Sequence, residues 1–385
     1  MSLSSPFRFQ HQATQNERAA SGLVHAGFAS TRDTEARQTF GFDFLEAQAL
    51  GNSVHVPGAS GDIVKHVDFL RARKERRADQ AASGIDPHAT YEDDGLLHRD
   101  GQGEAAIDFD DRAMREMVRT AFAYGLEVVG EEDQFRKMPD ARARRGEHVR
   151  VLLEEGKRFA VVDPLDGSNQ AAGMGQRSGW ACCAFIVDPS VSVLTAAVLL
   201  GDGRGVVTAG NNGVWLSESH HPDRPAVAYQ LSQSHRDRPT FERPHWVLPA
   251  AKEGRLEHAL AVVDASRGDG GEAHVSWISP LGGNPGFVAG LLCAGAVAGV
   301  QPESDAWGQM GPYLCAVAGL PTISAASPDP LTPEEISEML LRDLMAGRKT
   351  QALYSGRSLQ DARYLREVDI MATAELRRRK SARNQ

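Results

Sequence analysis

The sequence predicts an α+β chain, on three observations. Residues 179–187, 192–199, 206–208 and 213–216 are short runs of small apolar and β-branched residues split by Gly and Asp, the pattern of an antiparallel meander. Downstream of residue 245, strand-like and helix-like patterns alternate. Between the two kinds of pattern, an apolar run over residues 159–162 ends in Asp163, with Pro164 next and a second carboxylate, Asp166, three residues on.

Composition narrows the class. A chain of 385 residues can bury a substantial core, as two to three domains or one large layered unit. Its 41% hydrophobic and 24% charged residues are ordinary for a globular protein. The net charge of -9 argues against nucleic acid or a membrane surface as partner, since both are anionic. A small anionic substrate held through a metal remains compatible with it. Cys182, Cys183, Cys293 and Cys315 form no CxxC pair, and the sequence predicts reduced core thiols and a cytoplasmic setting. No basic and apolar leader opens the chain, so no secretory signal is expected. The apolar run over 286–300 is too short and too rich in Gly and Ala to span a membrane, and reads as a buried helix.

Taken in order, residues 1–40 are polar and weakly patterned and read as an extended arm. Residues 42–50 look helical, and a strand-like segment begins near Ile63. Residues 78–105 are polar and long for a connection, which suggests an insertion or a lid. Met114, Met117, Val118, Ala121 and Phe122 fall at helical spacing. Residues 126–129 then read as a strand ending at Gly130-Glu131-Glu132-Asp133. Pro164 predicts a turn after Asp163, and Gly167-Ser168 the start of a short helix. Residues 217–245 read as a crossover loop, 258–263 as a strand, 284–299 and 306–318 as helices. Thr332-Pro333-Glu334-Glu335 has capping-box spacing, with Thr332 as N-cap, and predicts a helix to about residue 347. The basic tail over 377–380 reads as solvated.

Three acidic sites stand at element ends: Glu131, the pair Asp163/Asp166, and Asp305 before the helix at 306. Mg²⁺ takes about six oxygens and binds through a few carboxylates plus water and substrate phosphate. Carboxylates converging from three segments would suit two such ions, which at roughly 3.5–4 Å apart can clamp both oxygens of an in-line displacement. Asp163 is set to bridge, Asp166 to face a second ion, and the Leu165 carbonyl lies between them. Gly167 allows close backbone approach. The N–H groups after Ser168 can bind phosphate at the positive end of a helix.

Each piece alone has an ordinary reading. Residues 130–133 could be a solvated acidic turn, 163–168 a Pro/Gly turn with Asx hydrogen bonds, and Asp305 a helix cap. Other signals are weaker still. His220-His221 reads as a surface pair, and glycines 173, 175 and 179 do not have dinucleotide-loop spacing. Arg142, Arg144 and Arg145 read as a solvated loop, with one of them a candidate to reach a substrate phosphate.

Together, Gly-Glu-Glu, then Asp-Pro-Leu-Asp-Gly-Ser, then a distal Asp opening a helix resemble the inositol monophosphatase / fructose-1,6-bisphosphatase superfamily. Residues 196–215 are similar to that family's paired strands, and 286–305 to its Ala/Gly-rich helix and following strand, so the resemblance covers roughly residues 110–325, discontinuously. It implies a layered α-β-α-β-α sandwich with an N-terminal arm and extra C-terminal helices. It divides the chain into the arm (1–40), an α+β metal-binding half (41–220) and an α/β half with a helical extension (221–385). It implies Mg²⁺, two or three ions per site, ligated by Glu131, Asp163, the Leu165 carbonyl, Asp166 and Asp305. Glu131 and Ser168 would activate the attacking water; the partner of Ser168 would be Asp111 or, from the rival segment 62–68, Asp68. Asp166, Gly167, Ser168, Asn169 and Asp305 would meet substrate.

The chain departs from the family wording at Ser304 before Asp305, at Leu320 after Ala318-Gly319, and at Asn169. Gln301 or Glu303 stands where a hydroxyl-binding Glu is usual. The resemblance therefore implies a phosphoric monoester hydrolase, with in-line attack by metal-bound water, acting on a small sugar or polyol phosphate such as fructose-1,6-bisphosphate or inositol monophosphate. A nucleotide 3′-phosphatase, a phosphatase of a biosynthetic intermediate, or a non-catalytic binding member are the alternatives. It further implies a cytoplasmic enzyme of carbohydrate metabolism that assembles as a dimer or tetramer, with no nucleic-acid or membrane partner.

Overall fold

The computed structural model describes residues 8–9, 14–30, 54–55, 96–99, 105–131, 133–135, 138–166, 181–200, 205–211, 213–218, 228–231, 245–249, 253–266, 277–279, 283–293 and 296–383. The chain begins with β1 (Arg8–Phe9) and α1 (Gln15–Ser30), followed by β2 (Val54–His55) and a hairpin of β3 (Leu96–Arg99) and β4 (Ala105–Ile107). Helix α2 (Asp108–Ala123) leads to β5 (Glu127–Gly130), α3 (Ala141–Glu154) and β6 (Phe159–Asp166). The meander is β7 (Ala181–Val187), β8 (Thr195–Leu200), β9 (Gly205–Gly210) and β10 (Gly213–Glu218), and β11 (Ala228–Gln230) extends it. Then come β12 (His245–Val247), α4 (Glu253–Ala265), β13 (Trp277–Ser279), the short α5 (Gly283–Gly286) running into a π-helix (Phe287–Cys293), and β14 (Ala298–Gln301). A 3₁₀ turn (Ala306–Gln309) opens α6 (Met310–Val317), and β15 (Thr322–Ser324), α7 (Pro333–Met345), β16 (Leu353–Gly356) and α8 (Leu359–Arg383) complete the chain.

Two sheets carry the molecule. The first has the order β1-β11-β10-β9-β8-β7-β6-β5, antiparallel throughout except for the parallel pair β5–β6. The second, mixed sheet has the order β15-β16-β14-β12-β13-β2. Neighbouring side chains on a strand face opposite ways, and this sorts the core. Ala160 and Val162 of β6 pack with Leu23 and Val24 of α1 and Met114 and Met117 of α2. Phe159 and Val161 point to the other side, into a cluster with Val149 of α3, Phe287, Tyr313 of α6 and Leu340 of α7. Val247 joins that middle cluster from the second sheet, while Trp246 and Leu248 face Val262 of α4 and Leu365 of α8. Helices, sheet, helices, sheet and helices thus stack in the α-β-α-β-α order. Among the described residues no helix is long and apolar enough to cross a membrane.

Several expectations change. Within the stretch read as an arm, residues 15–30 form a helix whose Ala19, Ala20, Leu23 and Val24 are fully buried; its many Ala and Gly residues hide a narrow apolar stripe. The boundary at residue 220 does not separate the sheets, because β11 extends the first and β2 the second. The strand expected at 258–263 is part of α4: Ala259, Val262 and Val263 are buried at helical spacing, and the β-branched pair imitates a strand. The helix expected over 284–299 ends near Cys293, and Ala298–Gln301 pairs into the second sheet. The C-terminal helix α8 is an outer layer of the fold, with Leu365 and Val368 in the core. β6 does not turn at Pro164. It continues to Asp166, with three steps from Asp163 to Asp166 set against two from Cys183 to Ala181. The extra residue is a bulge, tolerated where Pro164 has no N–H to give to the ladder. The segments 42–50, 62–68 and 167–180 lie outside the described residues.

Candidate active site

The parallel pairing of β5 and β6 sets Gly130 opposite Val162. The chain positions that follow, Glu131 and Asp163, therefore leave the same end of the sheet side by side. The strands approach so closely that a Cβ on Gly130 would lie 2.5 Å from the Val162 carbonyl oxygen. Only glycine fits there, which explains its place directly before Glu131.

The turn after β5 is held by Asp133. Its carboxylate accepts hydrogen bonds from the Gly130 and Phe135 N–H groups at 3.2 and 3.0 Å. It also pairs with the Arg145 guanidinium at 2.7 and 3.0 Å, both side chains being nearly out of water (1% exposed for Arg145, 3% for Asp133). Arg145 further donates to the Glu131 carbonyl at 3.4 Å and lies 4.9 Å from the Trp307 ring centre. The arginines read as a solvated loop are thus on helix α3. Arg144 is exposed there, while Arg145 is among the largest buried side chains of the protein. The reason is tertiary: buried Asp133 needs a cation, and α3 presents one.

Asp163 is 4% exposed, and its Oδ1 accepts the Leu165 N–H at 3.1 Å across the bulge. The Leu165 side chain packs under α1 and α2. Asp166, partly exposed, accepts the Asn284 N–H through Oδ2 at 2.8 Å. Gly283 makes that approach possible. Its φ is +72°, and a Cβ there would lie 2.7 Å from Asp166 Oδ2. Asn284, fully buried, is a residue the sequence reading missed. Its Nδ2 donates to the Trp307 carbonyl at 2.9 Å and approaches the Cys183 sulfur at 3.4 Å, while its Oδ1 accepts the Gly311 N–H at 2.6 Å. Through its backbone N–H and its side-chain amide, this one residue ties the Asp166 strand end to the segment after Asp305. A Gly-Asn-Pro opening to an apolar helix was the available signal.

Asp305 stands at the N-cap position of the 3₁₀ turn in extended conformation (φ −63°, ψ 163°), but its side chain caps nothing. Its two oxygens face the Arg142 Nε and Nη2, each at 3.0 Å, in a bidentate fork. Ser304 pairs through its backbone with Thr350. Gln301 is buried and Glu303 exposed, so of these two candidates for hydroxyl recognition only Glu303 is presented to solvent.

Burial pushes the Cys183 thiol well above its ordinary range, and the charges of Asp166 and Asp163 push it further. Asp111, expected immediately before a helix starting at 112, is instead the fourth residue of α2, which begins at Asp108. Asp68, Gly167, Ser168 and Asn169 lie outside the described residues. Among the described residues no three carboxylate, imidazole or thiol groups are gathered closely enough to hold one ion. Asp305 is instead forked with Arg142, and Asp166 accepts the Asn284 N–H.

No family model and no curated protein matches the chain. Solved structures do. The IMPase of Thermotoga maritima superposes with a TM-score of 0.48 at 11% identity, over 82% of this chain and 99% of that one. The extragenic suppressor protein suhB from Bartonella henselae gives 0.44 at 11% identity, over 80% and 98%. Inositol monophosphatase-II from Staphylococcus aureus gives 0.43 at 11% identity, over 88% and 98%. The chain is similar to these solved structures at 11% identity, and nothing about its chemistry follows from them.

Proposed function

We propose that the protein is an Mg²⁺-dependent phosphomonoester hydrolase acting on a small sugar or polyol phosphate. The observation that carries this reading is the parallel register of β5 and β6, which brings Glu131 and the Asp163/Asp166 bulge to one sheet end. The donors there fit a hard cation in type: the carboxylates and the Leu165 carbonyl are oxygen ligands. Asp305 fits a further ion only on leaving Arg142. A bound Mg²⁺ supplies positive charge at the phosphoryl group and lowers the pKa of a water.

The chain's own groups have distinct tasks in this reading. Glu131, Asp163, the Leu165 carbonyl and Asp166 hold the cation. Glu131 and Ser168, the latter with Asp111 or Asp68, take the proton of the attacking water. The N–H groups of Gly167, Ser168 and Asn169 hold phosphoryl oxygens. Asp133 and Arg145 keep the Glu131 turn in place, and Asn284 does the same for Asp166. The buried cysteines Cys182, Cys183 and Cys315 form no disulfide among the described residues, which suits a cytoplasmic setting.

The test is phosphate release from fructose-1,6-bisphosphate, inositol 1-phosphate and adenosine 3′,5′-bisphosphate, with and without Mg²⁺. We expect Mg²⁺-dependent release from at least one of the first two. Asp163→Asn should lower it by at least ~100-fold, the upper range for losing even an outer-shell partner of a metal site. Turnover on the nucleotide alone would move the substrate class. No metal-dependent turnover on any of them, or full activity in Asp163→Asn, would sink the reading.

A further inference from the structure

We propose that Arg142 is a resident counter-ion of Asp305 and competes with a divalent cation for that carboxylate. The inference rests on the phosphatase reading above and adds to it a residue that sets cation affinity at one part of the site.

Two arginines three residues apart on α3 grip the two acidic segments, but in different surroundings. Arg145 and Asp133 are sealed from water, and Trp307 lies beside the guanidinium. Such a pair is structural. Arg142 and Asp305 are 35% and 19% exposed, so solutes can reach them. Asp305 has the backbone of a helix cap, yet its carboxylate is withheld from the turn it opens and committed to the fork. A bidentate fork engages both carboxylate oxygens. A divalent cation ligated by Asp305 would stand about 2.0–2.1 Å from one of those oxygens. It would then face the guanidinium as a like charge at short range. The carboxylate can therefore serve Arg142 or the ion, not both, and an ion arriving at Asp305 must displace the fork. That displacement lowers the apparent affinity of an ion held through Asp305 relative to the same carboxylate without the fork.

The test is equilibrium binding on the metal-depleted full-length chain, with Mg²⁺ titrated calorimetrically and bound Mn²⁺ counted by its electron paramagnetic resonance. The variants are Arg142→Met, Arg142→Lys, Asp305→Asn and Asp163→Asn, each checked by circular dichroism. Arg142→Met should tighten the weakest binding step by roughly fivefold or more, the loss of an exposed pair of about 1 kcal/mol. Asp305→Asn should abolish that step. Arg142→Lys keeps the charge but not the fork, guards against a failure of Arg142→Met to fold, and should fall between wild type and Met. Unchanged or weaker binding in both Arg142 variants, or an unaltered number of ions in Asp305→Asn, overturns the proposal while leaving the phosphatase reading standing. No divalent binding in any variant, or binding indifferent to Asp163→Asn, overturns that reading and this one with it.

Discussion

Asp133 and Arg145 form a charge pair whose two members have almost no water to fall back on. Removing one partner leaves the other buried and uncompensated, which costs about 3–5 kcal/mol. Arg145→Met is therefore expected to lower the stability measured by urea unfolding by that amount, while Arg142→Met, at a half-exposed pair, should cost about 1 kcal/mol or less. Equal costs for the two would contradict the division between a structural and an exchangeable pair. Cys183 illustrates the same physics with opposite consequence. Its thiol is fully buried, and burial first, then the charges of Asp166 and Asp163, push its pKa well up.

Helix α7 starts with the reciprocal capping box that its sequence predicts. The Thr332 hydroxyl accepts the Glu335 N–H at 3.2 Å, and the Glu335 carboxylate accepts the Thr332 N–H at 2.8 Å. Thr332→Ala should cost about 1 kcal/mol, read from the shift of the unfolding midpoint at unchanged slope. A change in slope would instead indicate that the helix melts on its own. Local chemistry is enough to specify this element, since every partner lies within one turn. Helix α2 is a partial case. Met114, Met117 and Ala121 are buried as their spacing predicts, but Phe122 is 85% exposed among the described residues. The Pro164 segment is the reverse case. A proline after a strand reads as a turn, yet the neighbouring β7 ladder absorbs it as a bulge and carries the backbone on to Asp166.

At the scale of the whole molecule, α1 closes the outer face of the first sheet together with α2. Leu23→Ala, at a fully buried position, should cost about 2–5 kcal/mol in denaturant unfolding. A negligible cost would mean that residues 15–30 do contribute no more than a loose arm. The sequence alone determined the meander, the cap at Thr332, and the order of carboxylates along the chain. These depend on alternation, on spacing within a helical turn and on residue type. Tertiary structure alone decided that β5 lies parallel to β6, so that Glu131 neighbours Asp163. It also decided that Asp133 is buried against Arg145, that Asn284 joins two segments of the site, and that Arg142 faces Asp305. The physical reason is that pairing and charge burial depend on what stands opposite in space. Arg142 and Asp305 are 163 residues apart, and Asp166 and Asn284 are 118 apart, so no local pattern records their meeting.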